Sequence, residues 1–343
     1  MEEQFAPKKL VIYWLYLGIT MVLAMVVIGG VTRLTHSGLS MTHWSFSGSL
    51  PPTSQEAWVA EFAKYQQSPE YKEVHAHFEV EEFKSIYWWE YIHRMFGRLI
   101  GLVFIFPFIF FLAKKWIPRS MYKNFFIILG LGAFQAFLGW FMVKSGLVDV
   151  PRVSHFRLAA HLSTAFIACS YIYWVALRYK NLQEEKTLVS PFRKTVLLMT
   201  GLLFLQIVYG AFVAGLRAGW MHNTWPLMDG ELISDAVTAM DPIWINFLEG
   251  MSGVQFIHRT LGLVVLLTGL WIGFFSNFFK EERYELYPKF VAIALLIQFA
   301  LGVLTLLFYV PISLAVIHQV FALVTLICLT GLLFKANFTK LQH

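Results

Sequence analysis

Four histidines lie within apolar stretches of this 343-residue sequence, as two pairs at matched positions in its two halves. His93 and His161 belong to the first half of the chain, and His258 and His318 belong to the second half. A neutral imidazole is a strong iron ligand, and two imidazoles from different helices can hold a haem iron from both sides. Because polar groups are costly in a membrane helix, about 2.5–3.5 kcal/mol for a charge at its centre, the duplication indicates one haem site in each half.

The residues that follow the histidines support a porphyrin. The residue four positions later is small in every case: Gly97, Ala165, Gly262 and Ala322. Residues four apart share a helix face, so a small side chain leaves room for a flat ring. A single histidine in such a helix is commonly a packing or hydrogen-bonding residue, but four at matched positions favour haem. A bare metal ion is disfavoured because few carboxylates accompany them, and Cys169 and Cys328 lie in apolar runs and predict no thiolate site or disulfide.

One acidic residue distinguishes the halves. Glu90 lies three residues before His93 on the same helix face, whereas the aligned residue before His258 is the neutral Gln255. A carboxylate beside only one haem predicts a reactive site in the first half and an electron-transfer or structural haem in the second. Glu90 could exchange a proton or stabilise positive charge near the porphyrin edge. A salt bridge to Arg94, four residues later, is the simpler alternative.

Two arginines are also duplicated, Arg94 and Arg259, each directly after the first histidine of its half. Guanidinium groups bind carboxylates in a bidentate manner, so both are candidate ligands for haem propionates. Snorkelling to lipid head groups is an equally ordinary role. His75 and His77, in a charged loop segment, are expected to be solvated.

The elements that carry these residues are too apolar for a soluble protein. Hydrophobic residues make up 57% of the chain and charged residues 14%, against about 25% charged in globular proteins. The net charge of +6 requires no nucleic acid partner, since membrane proteins gather Lys and Arg on the cytoplasmic side. Roughly 20 apolar residues span a bilayer. Eight such segments are predicted, at about 10–31, 87–113, 123–143, 156–177, 194–215, 254–279, 289–310 and 312–334.

An internal repeat organises these segments. The string Ile92–Gly97 returns as Ile257–Gly262, and Gln135–Gly139 returns as Gln298–Gly302. In the loops, Gly38–Trp44 resembles Gly219–Trp225. We therefore predict an all-α membrane protein of two tandem four-helix bundles, residues 1–180 and 181–343. Because four is an even number, the units share one orientation and are predicted to be related by a pseudo-twofold axis along the membrane normal.

Basic residues predict the orientation in the membrane. With the N-terminus inside, 16 of the 27 Lys and Arg residues lie on the inner side. Both termini are then cytoplasmic, and the haem sites lie toward the outer face. The long connections Thr35–Ser85 and Arg217–Gly253 also face outward, with short helices expected near Gln55–Gln66 and Pro69–His77. An Arg-rich transit peptide is not seen at the N-terminus, which favours a bacterial inner membrane.

Four strings resemble the haem A synthase family, and the resemblance as a whole covers almost the entire chain, from the first predicted segment to the eighth. They are Gly29–Thr35, Ser37–Met41, Glu82–Arg94 and Asn223–Met228. The resemblance implies an eight-helix enzyme that oxidises the C8 methyl group of haem O to the formyl group of haem A, for cytochrome oxidase assembly. It further implies that His93 and His161 flank the substrate haem, that His258 and His318 ligate a haem b cofactor, and that Glu90 is the family's essential glutamate.

The same resemblance carries expectations about mechanism and partners. Some family members have cysteine pairs in the outer loops. This chain has none there, so it resembles a cysteine-free subgroup, and a mechanism through loop thiols is doubtful. A methyl-to-aldehyde oxidation removes four electrons, consistent with two hydroxylations and loss of water. We hypothesise that Glu90 stabilises a carbocation-like intermediate. Expected partners are haem O synthase, an unidentified electron donor and membrane lipid, and a homo-oligomer is compatible with the sequence.

Two other functions fit the duplicated histidines. A di-haem b electron-transfer protein would carry out no chemistry on the porphyrin, and Glu90 would be dispensable. A transporter built from parallel repeats would move a substrate such as haem without changing it. The haem pigments that cells contain when they express this protein would distinguish a haem A synthase from these two alternatives.

Overall fold

The structure is a computed structural model that describes residues 5–43, 48–146, 153–186, 191–275 and 286–339. Over these residues it contains eight helices long and apolar enough to cross a membrane, which confirms the predicted number. They are α1 (Lys9–Leu34), α4 (Val80–Ala113), α5 (Tyr122–Gly146), α6 (His155–Lys180), α7 (Pro191–Leu216), α8 (Met251–Phe275), α9 (Leu286–Leu307) and α10 (Ile312–Asn337). Residues 276–279, at the end of the sixth predicted segment, lie outside the described residues.

Short elements complete the fold. Helices α2 (Gln55–Tyr65) and α3 (Pro69–Glu73) lie in the first long connection, close to where the sequence predicts them. The two-residue strands β1 (Glu185–Lys186) and β2 (Phe338–Thr339) pair antiparallel, and so join the segment after α6 to the segment after α10. Over the described residues the fold is therefore all-helical apart from this pair.

Helix α4 begins about two turns earlier than the predicted apolar segment. Its first turn is stabilised by the Glu82 carboxylate, which accepts a hydrogen bond of 3.0 Å from the Glu79 backbone N–H. The side chain of Lys84 pairs with Glu81 at 2.6 Å. Such capping and paired charges extend a helix beyond its apolar part, and hydropathy alone does not detect this extension.

The long helices of the two predicted units make equivalent helix–helix contacts. In the first, α1 packs on α4 and α6, and α5 packs on α6; in the second, α7 packs on α8 and α10, and α9 packs on α10. Helices α1, α6, α7 and α10 meet in the middle around one large apolar core. One contact differs: α8 packs extensively on α9, whereas α4 barely touches α5. The division into two domains and the pseudo-twofold axis stay predictions.

Residues 55–87, which include α2, α3 and the first turns of α4, form a cap with a core of its own. Its core is an aromatic cluster in which Trp58, Tyr65 and Phe83 are buried. The prediction that His75 is solvated is wrong: it is 6% exposed, its ring stacks on Phe78 at 4.1 Å, and its Nδ1 lies 2.7 Å from the Tyr65 hydroxyl. His77 is exposed, as predicted. The aromatic residues that bury His75 are dispersed in the sequence, so its local charge pattern was misleading.

The cap contains a buried carboxyl group whose titration should change its stability. Burial, and then the charge of Glu90, raise the pKa of Glu70 to about 8, from 4.5. Between these values the folded cap holds a proton that the unfolded cap releases, so the free energy of unfolding falls as pH rises through this window. We expect Glu70→Gln to stabilise the cap at pH 9, on the order of 2 kcal/mol, and to change little at pH 5.

The measurement is thermal unfolding of the purified protein at both pH values, followed by tryptophan fluorescence. Glu73→Gln, an exposed residue on the same helix, is the matched control. Equal stability of wild type and Glu70→Gln at pH 9 would contradict the assignment.

Candidate functional site

Each of the four histidines packs against a glycine on a neighbouring helix. A Cβ atom on that glycine would meet the histidine Cε1 at 2.8–3.3 Å, which is closer than side chains normally tolerate. The pairs are Gly29 with His93, Gly139 with His161, Gly210 with His258, and Gly302 with His318. These glycines come from α1, α5, α7 and α9, so the repeat extends from the histidines to the surfaces that position them.

Three glutamines, on the same helices as three of these glycines, hold the backbone of the facing histidine in place. The side-chain amides of Gln135, Gln206 and Gln298 donate to the backbone carbonyls of His161, His258 and His318, at 2.8, 3.0 and 3.1 Å. Each lies four residues before the glycine of its pair. The sequence carries this signal as a threefold Gln-x-x-x-Gly spacing, and two of the three occurrences belong to the internal repeat. Repetition alone does not indicate what these glutamines do. Their role is revealed by the contact with the histidine carbonyls.

The fourth histidine is positioned differently. On α1 the residue four positions before Gly29 is Met25, which cannot donate a hydrogen bond to the His93 carbonyl. His93 is therefore without the amide contact that the other three histidines receive.

Among the described residues, three of the four imidazoles have a buried nitrogen without a partner, whereas Nδ1 of the fourth, His318, lies 3.1 Å from Gln298 Nε2. The Nδ1 atoms of His93, His161 and His258 are buried and have no hydrogen-bond partner within the described part of the chain. A buried polar atom without a partner costs free energy unless a ligand satisfies it. Within each half the two imidazoles are also close enough to interact electrostatically. Both pairs thus fit axial ligation of a haem iron.

A large cavity in the second half contains both histidines of its pair. It lies among α7, α8, α9 and α10, with α1 on one side, and His258 and His318 line it. Gly262 and Ala322, two of the small residues noted in the sequence, line it as well, and most of its surface is apolar. The apolar lining with these small side chains suits a macrocycle.

Glu90 is held as a fixed buried group. It is 3% exposed, and its Oε2 accepts hydrogen bonds from the Ser40 hydroxyl at 2.7 Å and the Met41 backbone N–H at 2.6 Å. Its other oxygen forms the salt bridge to Arg94 that the spacing predicts. With both oxygens engaged by donors, the carboxylate is suited to act as a fixed negative charge rather than as a mobile proton carrier.

The two arginines after the first histidines bind loop carbonyls. Arg94 donates to Met41 O at 3.0 Å and to His43 O at 2.8 Å. Arg259 donates to His222 O at 2.6 Å and to Thr224 O at 2.8 Å. These acceptors occupy equivalent places in the repeated loop strings. The arginines therefore anchor the loops over the histidines, and propionate binding by either stays a prediction.

The loop of the second half has further anchors. Gln255 donates to His222 O at 3.3 Å, so the residue equivalent to Glu90 contacts the same loop position through a neutral amide. The His222 ring lies 2.6 Å from an Asp229 oxygen and 3.0 Å from the Ser252 hydroxyl. That contact keeps the pKa of Asp229 below its usual range. A histidine–aspartate pair thus occurs in the second half, where the first half has Glu90.

Filling a glycine surface should weaken haem binding. In Gly302→Ala the new Cβ would lie 2.8 Å from Cε1 of His318, and overpacking of this kind typically costs about 1–3 kcal/mol. We expect the imidazole to shift and the haem affinity to fall about tenfold or more. Haem titration of the purified protein measures this. Gly130→Ala on α5, where an added Cβ has nothing within 4 Å, is the matched control, and equal affinities of the two variants would contradict the prediction.

Comparison with known proteins gives one consistent result. Residues 12–330 match the family described as cytochrome oxidase assembly protein, COX15-CtaA. A protein called haem A synthase from Flavobacterium psychrophilum is 47% identical over 93% of this chain and 96% of its own length. Proteins of the same name from Flavobacterium johnsoniae and Nitrosospira multiformis are 45% and 42% identical, over 96% and 94% of this chain and 98% and 92% of their own lengths.

Proposed function

Because the chain belongs to the COX15-CtaA family of cytochrome oxidase assembly proteins, we propose that it is a haem A synthase. It oxidises the C8 methyl group of haem O to a formyl group. The observation that carries the proposal is the duplicated histidine geometry with the buried carboxylate of Glu90 beside the first pair, where the equivalent residue of the second half is the neutral Gln255. This is the pattern expected of one reactive site and one supporting haem site.

The two histidine pairs take different roles. His93 and His161 hold the substrate haem O, and His258 and His318 hold a resident haem b. In the second half α8 packs extensively on α9, and both helices line the cavity, which suits a group that stays bound. In the first half α4 barely touches α5, and His93 lacks a glutamine contact, which suits a porphyrin that must enter and leave. When bound, haem b supplies electrons one at a time.

Glu90 acts on the reacting methyl group through its charge. Arg94, Ser40 and the Met41 backbone hold the carboxylate in place, and burial keeps water away from it. A preoriented negative charge stabilises the positive charge that develops at the methyl carbon as it is oxidised. The resulting role is electrostatic stabilisation of a carbocation-like state.

The surroundings of the enzyme follow from the same proposal. The eight spans place it in a membrane, which we assign to the bacterial inner membrane. Both termini are cytoplasmic and the histidine sites lie toward the outer face. Haem O synthase supplies the substrate, and a reduced membrane partner supplies electrons.

Pigment extraction from cells that co-express this protein and a haem O source tests the proposal. Haem A should appear only when the protein is present. Haem b alone would favour an electron-transfer cytochrome, and altered distribution of unchanged haem O would favour a transporter. Either result would overturn the assignment.

A further inference from the structure

We propose that Arg33, His36 and Arg217 form the binding site for the propionate carboxylates of the haem held by His258 and His318. This inference rests on the proposed function, because it places that haem in the second cavity. It assigns the anionic edge of the cofactor to residues that the repeat alone does not indicate.

The three residues share one wall of the second cavity. Arg33 is in the last turn of α1, His36 follows α1, and Arg217 follows α7, and all three line the cavity together with His258 and His318. Arg33 and His36 belong to the first half of the chain. A site for the second haem is thus completed by side chains from the first unit.

The backbone brings two of these residues together. His36 and Arg217 have φ angles of 55° and 58°, in the left-handed region that residues with a Cβ rarely adopt. They occupy the same position after equivalent helices, and Arg217 Nη2 lies 3.1 Å from His36 Nδ1. Residues held in such conformations cluster at functional sites. Both residues line the cavity.

The charges at this wall are not neutralised. Arg33 uses Nη2 to donate to the carbonyls of Ala214 and Gly215, both at 3.1 Å, while its buried Nε has no partner within the described residues. Within the same residues, neither Arg33 nor Arg217 has a carboxylate at salt-bridge distance. Arg33 and Arg217 are only partly exposed, and cations withdrawn from water without a counter-charge are costly, so the site favours anions. Two guanidinium groups match two carboxylates.

The neighbouring titratable groups reinforce this conclusion. Burial, followed by the charges of Arg217 and Arg33, lowers the pKa of His36 to about 4, so its ring is neutral at pH 7. With Nδ1 accepting from Arg217, the Nε2–H remains as a donor for a carboxylate. Glu70, which interacts electrostatically with both arginines, has a pKa of about 8 because of burial, and so neutralises them only weakly at pH 7.

Within the described residues, the repeat does not provide the same site in the first half. The position equivalent to Arg33 in the second unit is Ala214, so the first histidine pair has no corresponding arginine from α7. Arg94 and Arg259 already donate to loop carbonyls. A single basic site explains how one of two similar haem sites retains its porphyrin while the other exchanges it.

The test compares two ligands that differ only in their carboxylates. Haem-depleted full-length protein is titrated with haemin and with haemin dimethyl ester, and binding is followed by the haem absorption band. Wild type should bind the free acid about 100-fold more tightly, or about tenfold for each charge-assisted hydrogen bond that the ester cannot form. Arg33→Gln and Arg217→Gln should each remove about tenfold of this preference. Arg33→Lys and Arg217→Lys should each retain part of the preference for the free acid. Arg178→Gln, near the C-terminal end of α6 and outside the cavity lining, should leave the preference unchanged.

A second readout is the reduction potential of the bound haem. Loss of one nearby positive charge favours the ferric form, so we expect the reduced-to-oxidised ratio at a fixed potential to fall about tenfold, equivalent to about 59 mV. Purely structural damage would lower affinity for acid and ester alike and leave their ratio unchanged.

The outcomes separate the two proposals. A wild-type protein that binds neither ligand would overturn the proposed function itself. Equal affinity for acid and ester, or a full preference in the double glutamine variant, would overturn only the propionate site. If native mass spectrometry instead shows that the double variant loses bound phosphatidylglycerol while its ligand preference is unchanged, the arginines bind a lipid head group and the inference is wrong.

Discussion

Glu90→Gln is expected to lower haem A formation by about 10²- to 10³-fold while the protein retains haem b. The substitution preserves size but removes the negative charge that the Ser40 hydroxyl, the Met41 N–H and Arg94 hold in place. The equivalent residue in the second half, Gln255, shows that a neutral amide is compatible with this fold. The measurement is the haem A to haem O ratio in pigments from cells that express equal amounts of each variant.

Loss of structure must be separated from loss of charge. Glu90→Gln leaves Arg94 buried without its partner, and breaking a buried pair costs about 3–5 kcal/mol. The double variant Glu90→Gln/Arg94→Gln removes both charges and should recover thermal stability without recovering haem A formation. Glu81→Gln removes an exposed salt bridge on the same helix and serves as the control. If the double variant makes haem A at the wild-type rate, Glu90 is only a structural anchor.

His258→Ala and His318→Ala are each expected to remove nearly all resident haem b from the purified protein. Each substitution removes one imidazole that would bind the haem iron and leaves its neighbouring glycine, Gly210 or Gly302, facing empty space. His93→Ala and His161→Ala should keep the resident haem but abolish conversion of haem O. The measurement is haem per polypeptide, together with the absorption spectrum of the reduced protein.

The comparison between pairs makes this prediction specific. His77→Ala, an exposed histidine in the cap, controls for the loss of an imidazole as such. A resident haem that is lost from the His93 variant and kept in the His258 variant would reverse the assignment of the two sites.

Much of the fold could be predicted because a membrane simplifies the physics. A span needs a continuous apolar run, so hydropathy predicts all eight helices. Helix ends depend on capping and charge pairs instead, and for that reason hydropathy predicts too late a start for α4. The burial of His75 depends on packing against Phe78, three residues away, and Tyr65 in α2, which the charges around it in the sequence do not indicate.

The site, like the fold, could be predicted from the sequence only in part. Residue type and repetition indicate the four histidines and Glu90, because those signals are local. The glycines opposite the histidines depend on which helices are neighbours, although the Gln-x-x-x-Gly spacing gives a partial signal. The position of Arg33 at the second cavity depends on contact between the two units, so a comparison of one repeat with the other does not predict it.

Conversion of haem O by the purified protein is the most direct test of the central claim. The protein, with its resident haem b, is supplied with haem O, a chemical reductant and oxygen, and the extracted pigments are separated by chromatography. We predict that haem A appears as haem O disappears in equal amount, with haem b unchanged, and that Glu90→Gln blocks this conversion. Recovery of bound but unaltered haem O from the wild-type protein would contradict the account.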